Sequence, residues 1–194
     1  VSEGMTSQIR GLGVAIRNAN DGISLAQTAE GALGQITDNL QRVRELAVQS
    51  SNEVMGDSER LHIQKEVDQL IEEVDRIIST TEFNGQSLLD GTTATLNIQV
   101  GPNGTDQIGI NLTDLSTVNA MAAPGAPATA LAGAPANVVV DVTTAGSAVA
   151  AIANIDADID AVVGHRATLG AVQNRFESVI ANLTNYSENL QAAR

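Results

Sequence analysis

Apolar residues fall at Met5, Ile9, Leu12, Ile16, Ala19, Ile23 and Ala26, then at Ala29, Leu33, Ile36, Leu40, Val43 and Ala47. This alternation of threes and fours is the seam of a helix packed along another helix, and it predicts helix over residues 1–50. Asn18-Ala-Asn-Asp-Gly22 is made of residues that favour caps and turns. The apolar phase passes through it unbroken, so helix is expected there as well. Ser51 to Gly56 is polar, and Asp57 or Ser58 is placed to cap a second helix, 57–80, with seam Ile63, Val67, Leu70, Val74 and Ile77. Glu82-Phe83-Asn84-Gly85 ends it. Two alternating runs follow, Leu96, Ile98, Val100 and Ile108, Ile110, Leu112, parted by Gly101-Pro-Asn-Gly104, and they predict a β-hairpin over 95–112.

Residues 113–143 hold three of the four prolines among Ala, Gly, Thr and Val. Pro and Gly forbid a continuous helix, so a short irregular excursion is expected, with room for a strand at Val138 to Val142. Thr143 or Thr144 can cap a third helix, 144–194. Its seam is Ile152, Ile155, Ile159, Val162, Leu169, Phe176, Val179, Leu183, Tyr186, Leu190 and Ala193, with Arg166 and Gln173 as polar interruptions in phase. At about 1.5 Å per residue the first and third helices would each run on the order of 75 Å. The expected fold class is mainly α: an elongated bundle of two long and one shorter antiparallel helices, with a β-hairpin and a short irregular excursion. The parts are 1–112, 113–143 and 144–194. The chain opens on Val1, and the apolar phase is still running at Leu190 and Ala193, so both ends read as interior to longer helices.

Composition narrows the function classes. Aromatic residues are 2% of the chain, with no Trp, which suits a thin helical bundle. The formal net charge is −13, and no Lys or Arg lies between Arg76 and Arg166. Nucleic acid finds no basic track, and an anionic membrane would repel the chain. No apolar run is long enough to span a bilayer. Without cysteine, disulfides and thiolate chemistry are excluded.

Candidate chemistry is sparse. Asp156-Ala-Asp-Ile-Asp160 imitates the start of a calcium loop, but Ala161 stands where the loop needs Gly and Ala167 where it needs Glu, so solvated helical carboxylates are expected. His62 and His165 form no H-E-x-x-H pair and read as exposed helix residues. Gly101 to Gly104 lacks the Lys-Ser/Thr of a phosphate loop. No nucleophile, base and orienter can be assembled, so neither an enzyme nor a cofactor or metal site is expected. Arg42, Leu46 and Gln49 form an i, i+4, i+7 row beside the seam. That row is either a solvated face with one stray Leu or a contact surface.

Several longer motifs occur together. Thr6-Ser-Gln-Ile-Arg-Gly11, Arg17-Asn-Ala-Asn-Asp-Gly22, Ala26-Gln-Thr-Ala-Glu-Gly-Ala-Leu33, Leu40-Gln-Arg-Val-Arg-Glu-Leu-Ala-Val-Gln49 and Phe83-Asn-Gly85 resemble, in order, the amino-terminal core of the bacterial flagellins. Leu169-Gly-Ala-Val-Gln-Asn-Arg-Phe176 resembles their carboxy-terminal core. The resemblance covers about residues 1–112 and 145–194, and it implies a core fragment lacking both terminal polymerisation segments. It further implies a structural subunit that is exported, polymerises with its own kind into the extracellular filament that serves as the motility propeller, and is recognised by the flagellin-sensing Toll-like receptor of vertebrate hosts. In the family the row on the first helix packs against the neighbouring subunit and also meets that receptor. This places the contacts at Gln41, Arg42, Leu46, Gln49, Ile63 and Glu66. A hook–filament junction protein shares the helical trunk logic, but the motifs at Leu40 to Gln49 and Leu169 to Phe176 favour flagellin. An adhesin using 113–143 would need convergent aromatic or charged groups, which that tract lacks.

Overall fold

The computed structural model describes residues 2–112, 114–115 and 140–193. Most of the expected excursion, including positions 138 and 139 of the suggested strand, lies outside the described residues. Helix α1 spans Ser2–Ser50, α2 Asp57–Thr80 and α3 Ala145–Ala193. Strands β1 (Glu82–Phe83) and β2 (Gln86–Ser87) form a minimal hairpin, and β3 (Thr95–Gln99) pairs antiparallel with β4 (Gln107–Asn111). The architecture is the mainly helical one the seams imply, with the two long helices packed antiparallel.

The register of α1 against α3 can be read from side chains that meet. Arg44 bonds Asp156, Glu30 accepts a hydrogen bond from Gln173, and the Phe176 ring lies over Gly22. The last contact explains the turn-like stretch within α1. A Cβ at position 22 would stand 2.7 Å from Phe176 Cζ, and Phe176 is fully buried, so the ring can approach only because residue 22 is Gly. Helix continuity survives there because tertiary packing outweighs local propensity.

Buried residues of α1 include the seam positions Leu12, Ala19, Ala26, Ala29, Leu33, Ile36, Leu40, Val43 and Ala47, and add Ala15, Leu25 and Leu46. The stripe is wider than a two-helix seam because α1 packs on α3, on α2 and on β3. Towards the amino end of α1 and the carboxy end of α3 the cover thins. Met5, Ile9, Leu183 and Leu190 are half-buried there, and Tyr186, which the seam places inside, is exposed.

Local details depart from the sequence reading at three places and decide between its alternatives at a fourth. The N-cap of α2 is Gly56, which makes no side-chain cap bond, whereas Asp57 and Ser58 lie inside the helix. For α3, Thr144 Oγ1 accepts from the Ser147 backbone N–H at 3.1 Å, so Thr144 is the cap. Asn84-Gly85 does more than end α2, because it is the turn of the β1–β2 hairpin. Val140 to Val142 forms no strand. Its backbone pairs with the Gln64 carboxamide, whose Nε2 donates to Val140 O at 2.8 Å and whose Oε1 accepts from Val142 N–H at 2.7 Å. One side chain thus supplies the two bonds that a neighbouring strand would give.

Candidate functional site: a lateral face on the first two helices

The face begins with how α1 ends. Ser50 is fully buried, and its hydroxyl donates to Val142 O at 2.5 Å. The last carbonyls of a helix lack intrahelical donors. Here Arg60, only 5% exposed, turns back from the first turn of α2 and donates to the carbonyls of Ser50, Asn52 (3.1 Å) and Met55 (3.0 Å). The guanidinium locks the α1–α2 turn and places positive charge at the negative end of the α1 dipole. Sequence reasoning missed Arg60. An available cue was an Arg in a helix's first turn, where its own helix dipole disfavours it.

With the turn fixed, α1 and α2 present a common face. Arg42 Nε and Nη2 both donate to Glu66 Oε1, at 3.1 and 2.8 Å, and Arg42 Nη1 reaches Glu45 Oε2 at 3.1 Å. The two carboxylates, Glu66 first, raise the Arg42 pKa. Arg42 and Glu66 are each about half exposed, so this ion pair fixes geometry more than it adds stability. Gln41 and Gln49 are exposed on the same two turns of α1.

Two of the six expected contact residues are not on the surface. Leu46 is 2% exposed and Ile63 8%, both within the main hydrophobic cluster. Leu46 lies one turn on from Arg42, on the side that α2 covers, so it is core and not part of an exposed row. The row is therefore Gln41, Arg42 and Gln49 from α1 with Glu66 from α2, over a floor that includes Leu46 and Ile63. Glu45 joins it as the second carboxylate on Arg42.

The opposite flank of α1 also carries an ion pair. Arg44 Nε lies 2.5 Å from Asp156 Oδ1, and that hydrogen bond holds the Asp156 carboxyl below its usual range. The carboxylates of 156–160 are thus not uniformly solvated, since Asp156 is paired and Asp158 is buried.

His165 differs from expectation as well: it is half-buried, lining a small apolar pocket with Leu88, Leu89, Leu112 and Leu169. Burial lowers its pKa. A folded-state value below the unfolded one of about 6.5 means the unfolded chain binds the proton first as pH falls. Stability should therefore be full above that value and decline as pH drops through it. Melting temperatures taken at about pH 7.5 and about pH 5.5 should fall on acidification, and His165→Asn should shrink the difference. An identical difference in the variant would assign it to other groups.

Among the described residues no helix is long and apolar enough to cross a membrane, and no His, Cys, Asp and Glu cluster could hold a metal ion. What the trunk offers is long side surfaces with fixed charge pairs, the features of a structural protein that works through contacts. Residues 1–94 match the bacterial flagellin N-terminal helical region, and residues 152–194 match the bacterial flagellin C-terminal helical region. The whole chain aligns with a flagellin of Halalkalibacterium halodurans at 50% identity, covering 66% of that protein, and with a flagellin of Bacillus subtilis at 44%, covering 70%. The crystal structure of Bacillus cereus flagellin is similar at 28% identity and a TM-score of 0.71, over 92% of this chain and 95% of that one. The chain belongs to the bacterial flagellin family, the structural, non-enzymatic proteins of the extracellular flagellar filament of motile bacteria. It spans about two thirds of the length of the curated relatives named above.

Proposed function

We propose that this chain forms the helical trunk of a filament subunit and meets neighbouring subunits through the α1–α2 face of Gln41, Arg42, Gln49 and Glu66. We further infer that the flagellin-sensing Toll-like receptor of vertebrate hosts binds the same face, so that one surface serves both contacts. The observation that carries this reading is the Arg42–Glu66 pair, which joins two helices and is held ready without being buried. A pre-set charge pair over an apolar floor loses little side-chain freedom when a partner covers it. A repeated contact between different patches of identical subunits propagates without closing and builds a helical polymer.

Arg42→Ala and Glu66→Ala separate contact from stability. Neither side chain fills the core, so melting should shift by less than about 2 °C. Loss of an interface anchor should weaken binding to the receptor ectodomain by about tenfold or more. Affinity and melting should be measured on the same samples. Unchanged affinity in both variants would remove this face from the receptor contact.

A further inference from the structure

Among the described residues, Asn84 is the only non-glycine with a left-handed backbone, at φ 52°, and Gly85 follows at φ 77°. The two form the turn between β1 and β2, closed by the Phe83–Gln86 pair. Two successive positive φ values are what a two-residue hairpin turn demands, and Asn-Gly meets that demand best. Both residues are exposed, and a Cβ added at Gly85 would meet nothing within 4 Å. In such a turn the closing residues carry the ladder bonds, so the Gly85 N–H is left to solvent. The Asn84 carboxamide makes no hydrogen bond to the described residues.

A second Asn-Gly pair, Asn103-Gly104, provides an internal contrast. Asn103 Nδ2 and its backbone N–H both donate to Asp106 Oδ2, at 2.9 and 3.0 Å, and the Asn103 carbonyl accepts from Gln99 Nε2 at 2.5 Å. That carboxamide is tied down, whereas the one at position 84 is not.

We propose that Asn84 is a site of spontaneous self-modification, in which the Gly85 backbone nitrogen attacks Asn84 Cγ. The new N–Cγ bond forms as the Cγ–Nδ2 bond breaks. The Gly85 amide proton is given up to water, and the side-chain nitrogen leaves as ammonia. Water then opens one of the two imide C–N bonds of the succinimide. Cleavage at Cγ restores the main chain with aspartate, and cleavage at the backbone carbonyl leaves isoaspartate, linked through the side chain. In sum, asparagine and water become aspartate or isoaspartate and ammonia, with no oxidation or reduction. The missing side chain at residue 85 leaves the attacking nitrogen uncrowded. The strands on either side have two residues each, so local opening that lets Cγ reach it requires little.

The product alters the hairpin in two ways. Isoaspartate adds a backbone carbon to a turn that has room for two residues. Either product also puts a carboxylate on the groove that Asn84 and Asp21 line together with Leu25, Leu96 and Ile98. Both effects disturb the hairpin, so the change marks the age of the molecule. The modification does not depend on the assembly role.

The test is prolonged incubation of the protein in neutral buffer, with and without denaturant, followed by peptide mapping by mass spectrometry. In the folded protein the peptide with Asn84 should gain the mass of an NH2-to-OH exchange several-fold faster than the peptide with Asn103. In denaturant the two rates should converge, because both sites are then plain Asn-Gly. Asp106→Ala should release Asn103 and bring its rate in the folded protein up towards that of Asn84. Equal or slower conversion at Asn84 in the folded protein, or no conversion there, would overturn the proposal. An Asn103 rate unmoved by Asp106→Ala would overturn its account of the contrast.

Discussion

Leu46→Ala should cost the trunk about 3 kcal/mol, because a fully packed leucine is replaced by a cavity between α1 and α2. Leu46 is 2% exposed and belongs to the cluster that includes Val43, Ala47, Ile63 and Val67. For a chain of this size the loss should lower the melting temperature by roughly 6–12 °C, followed by the helical circular dichroism signal. Any fall in receptor affinity should track the folded fraction, unlike that of Arg42→Ala. A variant that melts like the parent would return Leu46 to the surface and make it a direct contact.

Arg60→Ala should have an effect of similar size, about 3 kcal/mol, by a different route. The guanidinium satisfies three backbone carbonyls in the α1–α2 turn, and removing it leaves acceptors near the buried Ser50 without donors. It also withdraws positive charge from the carbonyl end of α1. Arg60→Lys keeps the charge but loses the planar fork that reaches three oxygens, so it should recover less than half of the loss. Urea unfolding of the three proteins measures this directly. Equal midpoints for Arg60→Ala and the parent would show that solvent satisfies the turn as well as the side chain does.

The long helices, their antiparallel order and the β3–β4 hairpin could be read from the sequence because each follows a period that burial enforces over many residues. Periodicity failed where one element serves several neighbours. A three-and-four seam describes contact with one helix, but α1 faces α2 and β3 as well as α3. Leu25 and Leu46, one position short of seam residues Ala26 and Ala47, are buried for that reason. Tyr186, which the seam places inside, is left 47% exposed.

The candidate site divides the same way. Gln41, Arg42, Gln49 and Glu66 are on the exposed face because the seam leaves them there. Leu46 was placed in the row by its i, i+4 spacing from Arg42 and Ile63 beside it by family resemblance, and the fold puts both beneath the face. Arg60 and Gln64 had no periodic signal. Their partners are backbone carbonyls and amides brought close by the turn, and no spacing in a sequence records a bond to the main chain.

This chain holds no cysteine, so a thiol introduced on the face can test the central claim without competition from the chain itself. Gln49→Cys, made in the protein as its own cells produce it, can be treated with a maleimide in sheared flagellar filaments and again after the filaments are depolymerised. If the α1–α2 face packs against a neighbouring subunit, the thiol should be modified fully in free subunits and spared in filaments. Equal modification in both states would contradict the account, because a face open to reagent within the filament cannot be the contact that builds it.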